Sequence, residues 1–364
     1  MRLLVAGGGT GGHLFPGIAV ADEVVRRGGH VLFVGTSRGI ETRAVPAAGY
    51  ALETLDVSGL ARMGLWGTLR GLGRVPLAIA KSIAILRRFR PEIVLGVGGY
   101  ASGPIVLAAA LLGYPTAIQE QNSVPGVTNR VLGRLVRAVF IAFEDAARSF
   151  PARKIERLGN PVRQKIVAAL QGAGEADGAA VKLRLFVVGG SQGARAVSDL
   201  MTGAAAALAT TDFSLVHQTG SSDLERISER YRELGLAERV VVKAFIEDMA
   251  TAYAEADIVV ARAGALTLAE LAIAGRPAIL IPLPTAADDH QRKNAAQFAN
   301  AGAALVLDQG RACAEDLAAA ITRLAQDGGK RADMAVAMRG LARPQAAQAI
   351  VDRLETLVQS RVTV

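Results

Sequence analysis

Residues 3–13 read Leu-Leu-Val-Ala-Gly-Gly-Gly-Thr-Gly-Gly-His, an apolar run that leads into a glycine-dense turn and a single histidine. The apolar run predicts a buried strand, and the residues after the glycines predict a helix. Such a turn builds an anion site, because glycines let the backbone approach a ligand and a helix N-terminus favours negative charge. Residues 185–195, Leu-Phe-Val-Val-Gly-Gly-Ser-Gln-Gly-Ala-Arg, repeat the arrangement. Together they predict two similar domains that face each other across a cleft.

Strand-like apolar runs alternate with helical stretches along the chain. This alternation predicts an α/β fold in which helices cover both faces of a parallel sheet. We place the join between the domains at about residues 159–161, and the Gly, Ala and acidic residues of 172–180 predict a flexible surface segment near it. The predicted strands are 2–6, 31–35, 93–97, 116–119 and 138–142 in the first half and 184–188, 214–218, 240–243, 258–261, 278–282 and 304–306 in the second.

Composition limits the class of protein. The 364 residues are 51% hydrophobic, which is enough for two cores, and they exceed the length at which a single core usually keeps growing. The best candidate for a membrane-spanning helix, residues 105–112, is far shorter than the roughly 18 to 20 residues required. The N-terminus does not resemble a secretory signal. A single cysteine, Cys313, excludes an internal disulfide and is typical of the reducing cytoplasm.

The formal net charge of +8 favours an anionic partner, and one stretch is notably basic. No acidic residue occurs between Asp56 and Glu92, and Pro76 is expected to divide the stretch into two helices. It is either an element that docks on an anionic membrane surface or a core-facing helix with a solvated basic face. Nucleic acid is not indicated, because aromatic residues are only 4% and no nucleic-acid-binding motif occurs. The basic residues are Arg62, Arg70, Arg74, Lys81, Arg87, Arg88 and Arg90, and the apolar stripe is Leu65, Leu69, Leu72, Val75, Ile79, Ile83 and Leu86.

Two common nucleotide-binding motifs fit the first glycine turn poorly. Residues 7–12 have the spacing of a dinucleotide fingerprint, but a dehydrogenase also needs an acid at the end of the second strand to bind ribose hydroxyls. That strand ends at residues 33–36, Phe-Val-Gly-Thr, and the first acid afterwards is Glu41. A phosphate loop requires Gly-Lys-Ser or Gly-Lys-Thr, which follows neither glycine cluster. A nicotinamide cofactor is therefore not expected.

His13 lies where the first glycine turn enters its helix. A helix N-terminus disfavours imidazolium and keeps a neutral ring that can accept a proton, so His13 is a candidate general base, with a polar cap or surface ring as the alternative. Residues 98–104, Gly-Gly-Tyr-Ala-Ser-Gly-Pro, form a second glycine-rich turn or simply a tight connection. Residues 119–122, Gln-Glu-Gln-Asn, end another strand, where ligands bind in open parallel sheets. We expect them to face the cleft, with a polar surface loop as the alternative.

The second half carries three further candidate segments. Residues 189–195 offer backbone N–H groups, a hydroxyl and a guanidinium, which suit a diphosphate. Thr267 and Glu270 have the spacing of a capping box, although this carboxylate could instead bind ribose hydroxyls. Residues 288–291, Asp-Asp-His-Gln, could supply amide contacts to a sugar. No metal site is expected, because the chain has no HExxH motif and no Cys/His cluster.

Six motifs in this order closely resemble those of the bacterial MurG family, and the match spans about residues 3–300. The resemblance implies a GT-B fold with two Rossmann-like domains. Residues 1–160 plus about 344–364 would form an acceptor-binding, membrane-associating domain on which the final helix, about 345–359, packs back. Residues 161–343 would bind the UDP-sugar donor. The motifs are Gly-Gly-Thr-Gly-Gly-His (8–13), Gly-Gly-Tyr-Ala-Ser-Gly-Pro (98–104), Glu-Gln-Asn (120–122), Gly-Asn-Pro-Val-Arg (159–163), Gly-Gly-Ser-Gln-Gly-Ala-Arg (189–195) and Gly-Ala-Leu-Thr-Leu-Ala-Glu (264–270).

The resemblance implies an inverting glycosyltransferase of peptidoglycan synthesis. It would transfer N-acetylglucosamine from UDP-GlcNAc to the C4 hydroxyl of lipid-linked muramyl-pentapeptide (lipid I), giving lipid II, with neither cofactor nor metal. The implied location is the cytoplasmic face of the bacterial cell membrane, as a peripheral protein beside anionic lipid and cell-wall synthesis and division proteins. The alternatives are a UDP-sugar epimerase of GT-B architecture, a non-enzymatic lipid-carrier binding scaffold and, third, an NAD-dependent oxidoreductase.

The resemblance also assigns the acceptor side of the site. His13 would be the base for the attacking hydroxyl. The glycine turn before it would border the acceptor diphosphate, and the neighbouring turn would complete the acceptor site. The implied acceptor-site residues are Thr10, Gly11, Gly12, Tyr100 and Ser102.

On the donor side, the resemblance implies that the backbone of Ile246 meets uracil and that Glu270 binds the ribose. The second glycine turn would contact the diphosphate. Asn122 and Gln291 would hold the sugar, with His290 as the alternative to Gln291. The full implied donor set is Asn122, Arg163, Ser191, Gln192, Gly193, Ile246, Ala265, Leu266, Thr267, Leu268, Ala269, Glu270 and Gln291.

Overall fold

The structure is a computed structural model that describes residues 1–57, 65–172, 182–190, 193–208 and 211–362. The chain divides into two compact units, one formed by Met1–Gln164 with Arg343–Val364 and the other by Lys165–Ala342. Apart from Gly172, the segment predicted to be flexible lies outside the described residues. The roles predicted for the two domains stay predictions.

The first unit contains a seven-stranded, wholly parallel sheet in the order β3-β2-β1-β4-β5-β6-β7. The strand order reverses between β1 and β4, and ligands of open α/β sheets bind beyond the carboxyl ends of strands at such a point. The first glycine turn follows β1 and the second follows β4. The strands are β1 Arg2–Gly7, β2 His30–Thr36, β3 Ala51–Leu55, β4 Ile93–Gly98, β5 Thr116–Glu120, β6 Ala138–Ile141 and β7 Ile155–Arg157.

Both faces of this sheet are buried, because successive side chains of a strand point to opposite faces. On β1, Leu3 and Val5 join one hydrophobic cluster, whereas Leu4 and Ala6 join the other. This explains why β1 is a continuous apolar run and not an alternating one. The helices of the first unit are α1 Gly11–Arg26, α2 Glu41–Ala47, α3 Leu65–Phe89, α4 Ser102–Leu111, α5 Val127–Leu132 and α14 Ala346–Val362, with short 3-10 helices at Glu144–Ser149 and Ala152–Lys154.

Helix α3 corrects the prediction that Pro76 divides this stretch into two helices, because one helix runs through it. Proline removes one helical hydrogen bond, at a cost of about 3 kcal/mol. Beyond Pro76, however, Ala78, Ile85 and Leu86 are buried, and α3 packs on α4. Burial of this face stabilises the helix and offsets the missing bond.

The final helix, α14, packs on α1 within the first unit. Ile350, Val351 and Leu354 of α14 belong to the same buried cluster as Leu3 and Val5 of the central strand. At the surface, Arg27 forms ion pairs with two carboxylates of α14, Asp352 at 2.6 Å and Glu355 at 3.1 Å. The end of the chain thus completes the core of its first unit.

The second unit repeats the topology with a six-stranded parallel sheet in the order β10-β9-β8-β11-β12-β13. The order reverses between β8 and β11, so the turns after these two strands lie at the equivalent switch point. The strands are β8 Leu183–Val188, β9 Phe213–Gln218, β10 Val240–Lys243, β11 Ile258–Ala261, β12 Ala278–Leu280 and β13 Ala304–Val306. The helices are α6 Gln164–Gly172, α7 Arg195–Ala207, α8 Leu224–Glu233, α9 Met249–Glu255, α10 Ala265–Ala274, α11 His290–Asn300, α12 Ala314–Gln326 and α13 Gly328–Gly340.

Over the part of the chain that the structure describes, none of these helices combines the length and the apolar character that crossing a membrane requires.

Candidate functional site

The first glycine turn connects the buried end of β1 to α1, whose first residue is Gly11. Thr10 occupies the N-cap position, and its side chain makes no capping hydrogen bond. The first N–H groups of any helix lack partners within that helix, so the N–H groups of Gly11 and Gly12 are oriented to meet an anion. The turn therefore has the geometry of a phosphate site.

A buried carboxylate, Glu41, stabilises the conformation of this turn. The sequence did not indicate this role. Glu41 accepts hydrogen bonds from the Gly9 N–H (2.7 Å), the Thr36 N–H (2.8 Å) and the Thr36 hydroxyl (2.7 Å). Burial alone would raise the pKa of the Glu41 carboxyl, but these hydrogen bonds lower it below its ordinary value. Because Glu41 is fully buried against the turn, it is not available to bind ribose hydroxyls.

His13 lies in the first turn of α1 and is partly exposed. Its Nδ1 lies 2.9 Å from Oε1 of Gln121, the residue that follows β5. The structure thus brings His13 and Gln121 together beyond the carboxyl ends of β1 and β5, which lie on either side of β4, although 108 positions separate them in sequence. The sequence indicated both segments as candidates but not this contact.

The second turn, after β4, places its two candidate side chains differently. Tyr100 is 53% exposed, so its ring and hydroxyl can meet a ligand. Ser102 is fully buried at the start of α4, close to Gly96, where any Cβ would lie 2.6 Å from the serine Oγ. The Ser102 hydroxyl fills space beneath the turn, so a direct side-chain contact from Ser102 to an acceptor is not supported.

The polar residues at the end of β5 do not all face outward, which corrects the expectation for this segment. Gln119, Glu120 and Gln121 are buried, and only Asn122 is partly exposed. The inward side chains hold the turn instead: Glu120 accepts a hydrogen bond from the Asn122 N–H at 3.0 Å and another from the Asn129 side chain at 2.9 Å. Asn122 is therefore presented by an ordered segment.

Arg163 lies in the first unit, where its guanidinium carbon stacks 5.1 Å from the centre of the Phe15 ring of α1. A cation over an aromatic face is attracted by the ring quadrupole. This contact holds a positive charge close to the α1 N-terminus. The predicted place of Arg163 in the donor site stays a prediction.

In the second unit, the glycine turn after β8 leads into α7. Ser191 and Gln192 lie outside the described residues. Gly193 has a φ of +76°, and its Cβ position would lie 2.2 Å from the Thr219 carbonyl oxygen, so only glycine fits there. The Gly189 N–H donates to the Gln218 carbonyl at 3.0 Å, which ties the turn to the end of β9.

The segment after β11 overturns one of the two interpretations of Glu270. A capping box would require Thr267 at the N-cap, but the N-cap is Gly264 and α10 already begins at Ala265. Glu270 instead lies within the helix, is 7% exposed, and accepts a 3.1 Å hydrogen bond from the Tyr253 hydroxyl. Burial and the neighbouring Glu270 charge raise the pKa of Tyr253 well above its ordinary value, so this hydroxyl remains a donor.

The side chains of the segment 265–270 divide by exposure. Those of Ala265 and Leu268 are buried, so only their backbones could meet a ligand. Leu266, Thr267 and Ala269 are partly exposed. Ile246, after β10, is also buried at its side chain, whereas the adjacent Phe245 is 59% exposed. The structure is thus compatible with the predicted backbone role for Ile246.

The side chain of Gln291 is partly exposed, and one hydrogen bond fixes the orientation of its amide. Its Oε1 accepts a 3.0 Å hydrogen bond from the Leu283 N–H, so its Nε2 presents N–H donors. His290 uses Nδ1 on the Ala287 carbonyl at 2.8 Å. Just before them, Asp288 and Asp289 both have φ values above +50°, a left-handed conformation that costs free energy in non-glycine residues. Strain of this kind concentrates at functional sites.

Arg262 was not among the predicted site residues, yet it organises this edge of the second sheet. Its Nη1 donates to the carbonyls of Ile281 (2.9 Å) and Pro282 (3.3 Å), which precede the residue that holds Gln291. Burial lowers the pKa of Arg262 below its ordinary value. A cationic residue just after β11, before a glycine and a helix, is recognisable in the sequence, but its partners, which follow β12, are not.

Among the described residues, no group of three or more His, Cys, Asp and Glu side chains is arranged to hold a metal ion.

Comparison with known proteins gives consistent matches over nearly the whole chain. The models of the glycosyltransferase family 28 N-terminal and C-terminal domains match residues 3–141 and 184–350. A UDP-N-acetylglucosamine--N-acetylmuramyl-(pentapeptide) pyrophosphoryl-undecaprenol N-acetylglucosamine transferase from Myxococcus xanthus is 49% identical, over 97% of this chain and 92% of the relative.

Solved structures agree. MurG of Acinetobacter baumannii is 32% identical with a TM-score of 0.80, and the match covers 98% of this chain and 99% of that one. UDP-GlcNAc 2-epimerase from Neisseria meningitidis has a TM-score of 0.69, over 98% of this chain and 100% of that one, but at 16% identity it shows a shared fold alone. The predicted fold class, two Rossmann-like α/β domains of the GT-B type, is confirmed.

Proposed function

The chain belongs to glycosyltransferase family 28 and, within it, to the MurG enzymes, and from this premise we propose how its residues carry out the reaction. It is a glycosyltransferase that transfers N-acetylglucosamine from UDP-GlcNAc to the lipid-linked N-acetylmuramyl-pentapeptide, lipid I, in peptidoglycan synthesis. The predicted activity is confirmed. The epimerase alternative is not favoured, because the likeness to an epimerase extends only to the fold.

The donor occupies the second unit in this proposal. The turn at residues 189–194 and the N-termini of α7 and α10 suit the UDP diphosphate, because both helices begin after glycine-containing turns at the switch point. Glu270 binds the ribose, with its carboxylate held in place by Tyr253. Gln291 donates hydrogen bonds to the sugar from the Nε2 that its bond to Leu283 leaves facing outward.

The remaining donor contacts follow the family pattern. The backbone of Ile246 meets uracil, and Asn122, on its ordered segment, completes the sugar site. Arg163 contributes positive charge from its place over Phe15. The full proposed set is Asn122, Arg163, Ser191, Gln192, Gly193, Ile246, Ala265, Leu266, Thr267, Leu268, Ala269, Glu270 and Gln291.

The acceptor diphosphate binds at the N-terminus of α1, along Thr10, Gly11 and Gly12. Tyr100 borders this site from the second turn. The observation that carries the base assignment is the placement of His13: its ring is partly exposed beside the anion site, and its Nδ1 is occupied by Gln121. Its Nε2 is then the nitrogen that can take a proton from the acceptor hydroxyl.

The reaction is a single displacement with inversion. His13 Nε2 takes the proton of the muramyl C4 hydroxyl while that oxygen forms a bond to the anomeric carbon of the donor sugar. The bond between the anomeric carbon and the UDP oxygen breaks, and UDP leaves with the electron pair. The helix N-termini of the second unit stabilise the charge that develops on the diphosphate, so this scheme assigns no step to a metal ion.

The decisive assay measures UDP release from UDP-GlcNAc with and without a short-chain muramyl-pentapeptide acceptor, each in the presence and absence of a chelator. We expect release that depends on acceptor and resists the chelator. Release without acceptor would contradict transferase chemistry, and loss of release with chelator would contradict the metal-free scheme. A His13→Ala variant that retained full acceptor-dependent rate would remove His13 as the base.

We also propose that the first unit binds the membrane at its α3–α5 surface. Helix α3 packs on α4 and α4 on α5. Leu77 and Leu111 are 71% and 75% exposed, and Val127 and Val131 are exposed on α5. Exposed apolar side chains with basic neighbours are typical of a surface that meets anionic lipid. Among the side chains that the structure describes on these helices or just after them, the exposed basic ones include Lys81, Arg87, Arg88, Arg90, Arg130 and Arg134.

This surface differs from the one that the sequence predicted. In the part of the apolar stripe whose side chains are described, Leu86 is fully buried and Ile79 and Ile83 pack against the core. The core-facing interpretation is therefore the correct one for these residues. We assign the contact with lipid to Leu77 and to helices α4 and α5 instead. Location at the cytoplasmic face of the membrane stays a proposal. Association with cell-wall synthesis and division proteins is also a proposal.

A further inference from the structure

Gln121 is 1% exposed and lies directly after β5, with its carboxamide between the end of β4 and the ring of His13. Its Nε2 donates to the Val97 carbonyl at 2.9 Å and to Oε1 of Gln119. Its Oε1 lies 2.9 Å from His13 Nδ1. Every hydrogen-bonding atom of this buried amide therefore has a partner.

These partners fix the orientation of the amide. A backbone carbonyl accepts hydrogen bonds and cannot donate, so the atom of Gln121 that faces Val97 must be the nitrogen. The neighbouring amide is consistent with this: Gln119 accepts at Oε1 from Gln121 and donates from Nε2 to Asn160 Oδ1 at 3.3 Å. With its nitrogen directed to Val97, Gln121 can present only its oxygen to His13.

The orientation of the amide in turn fixes the tautomer of His13. An amide oxygen only accepts, so His13 Nδ1 must carry the hydrogen, and in the neutral ring Nε2 then carries the lone pair. The other tautomer would set two lone pairs 2.9 Å apart. The ring is confined on a further side by Gly98, whose φ is +94° and whose Cβ position would lie 2.8 Å from His13 Nδ1. Any larger residue there would displace the ring.

We propose that Gln121 is the positioning residue of the reaction: it selects the Nδ1–H tautomer of His13 and so keeps Nε2 ready to accept the proton of the acceptor hydroxyl. This rests on the proposed role of His13 as base. After proton transfer the Nδ1–H bond to Gln121 remains, so the amide holds the ring unchanged through the step. Gln121, with its nitrogen held by the Val97 carbonyl, does for this histidine what an orienting side chain does in a catalytic triad.

The direct test is the tautomer itself. In protein labelled with ¹⁵N at histidine, two-bond ¹H–¹⁵N spectra distinguish Nδ1–H from Nε2–H, and a His13→Ala spectrum identifies the signal of His13 among the four histidines. We expect the Nδ1–H form in the wild type and loss of that preference in Gln121→Met. An Nε2–H signal in the folded wild type overturns the proposal, even if Gln121→Met does not fold.

Gln119→Met is the matched control. It also removes a buried amide, but the Val97 carbonyl still directs Gln121 Nε2, so the Nδ1–H tautomer of His13 should persist. If both variants lose the preference for the Nδ1–H tautomer, the cause is a general loss of order around these buried amides. The specific role of Gln121 is then overturned.

Kinetics separate this inference from the base assignment. Loss of the partner that orients a metal-bound histidine costs about 10- to 100-fold in affinity or activity, and we expect the same order for His13. We therefore expect Gln121→Met to lower kcat by about that factor while the KM for UDP-GlcNAc stays unchanged. If the tautomer shifts but kcat does not, Gln121 does select the tautomer and it is His13 as base that fails. If the tautomer does not shift, the positioning role of Gln121 fails.

Discussion

The two units share one topology but equip their switch points differently. In the first unit, buried side chains shape the site. Glu41 accepts a hydrogen bond from the glycine turn, and Gln121 is hydrogen-bonded to the ring of His13. In the second unit, the turn after β8 is held by backbone hydrogen bonds, and the side chains that face the proposed ligand are an anchored carboxylate and an anchored amide, Glu270 and Gln291.

This contrast teaches how one scaffold supports two tasks. Proton transfer needs a titratable ring held in one orientation and one tautomer, which requires a side-chain partner from another part of the same sheet edge. Binding a diphosphate and its developing charge needs oriented backbone N–H groups, which a glycine turn and a helix N-terminus supply. Both units offer a glycine turn and a helix N-terminus to a diphosphate, but only the donor diphosphate develops charge as the bond breaks. The predictions below therefore assign proton transfer to the first unit and binding of the donor diphosphate to the second.

The largest effect is expected at His13. His13→Ala removes the base, and a general base contributes about 10²- to 10⁴-fold to the rate, so kcat should fall within that range. Binding of UDP-GlcNAc should not change, because the proposed donor contacts do not include His13. Steady-state kinetics and calorimetric titration of UDP measure the two quantities. Weakened UDP binding in His13→Ala would break the division of tasks between the units.

For Glu270 we expect a change in donor binding and little change in turnover, the reverse of what we expect for His13. Glu270→Gln keeps the shape but removes the charge, and hydrogen bonds to a charged group contribute about 1.5–3 kcal/mol, which corresponds to roughly 10- to 150-fold in affinity. The KM for UDP-GlcNAc should rise by this order, while kcat at saturation changes little. Tyr253→Phe is the control: it removes only the hydroxyl that holds Glu270 and should weaken UDP binding less. Equal UDP affinity in Glu270→Gln and wild type would exclude the ribose contact.

Glu41 offers a test through stability. Its folded-state pKa is lowered, so the contribution of its charge is complete above the unfolded pKa of about 4.3 and is lost as the pH falls through the folded pKa. Glu41→Gln should lower the free energy of unfolding by about 1–3 kcal/mol at pH 7, because the glycine turn loses a charged acceptor.

Urea denaturation at pH 7 and at pH 3 checks this sign, since the difference between Glu41→Gln and wild type should shrink at the lower pH. Hydrogen exchange should speed up in peptides of β1 and β2 and not in those of β8 and β9. Uniform exchange changes across both units would show that Glu41 does not act through the first glycine turn.

The sequence predicted the central strands of both sheets well, because each is a buried apolar run bounded by turn residues. It missed β3 and β7, the two edges of the first sheet. An edge strand has a neighbour on one side only, so it is less buried and can be more polar or shorter. β3 carries Glu53 and Thr54 among its five residues, and β7 is only three residues long. Neither has the apolar run that marks a strand, and only pairing with a neighbour reveals them.

The site shows the same limit. His13 and Glu270 could be named as candidates because local motifs surround them. Glu41 and Gln121 contact residues 32 and 108 positions away, and these contacts depend on the order of the strands in the sheet. The capping-box interpretation of Glu270 failed because α10 begins two residues before Thr267, a boundary that spacing alone does not determine.

The smallest effect is expected where the first unit meets lipid. Full burial of a leucine side chain contributes about 1.5–3 kcal/mol, and a leucine that inserts only partly among lipid headgroups contributes less, so Leu77→Gln with Leu111→Gln should weaken binding to anionic vesicles by about tenfold. Turnover of a soluble short-chain acceptor should be retained, because neither leucine belongs to the proposed site. Val336→Gln is the matched control, since Val336 is 63% exposed on α13 of the second unit. Co-sedimentation that falls equally in the control, or does not fall in the leucine variant, would show that the α3–α5 surface is not where the enzyme meets the membrane.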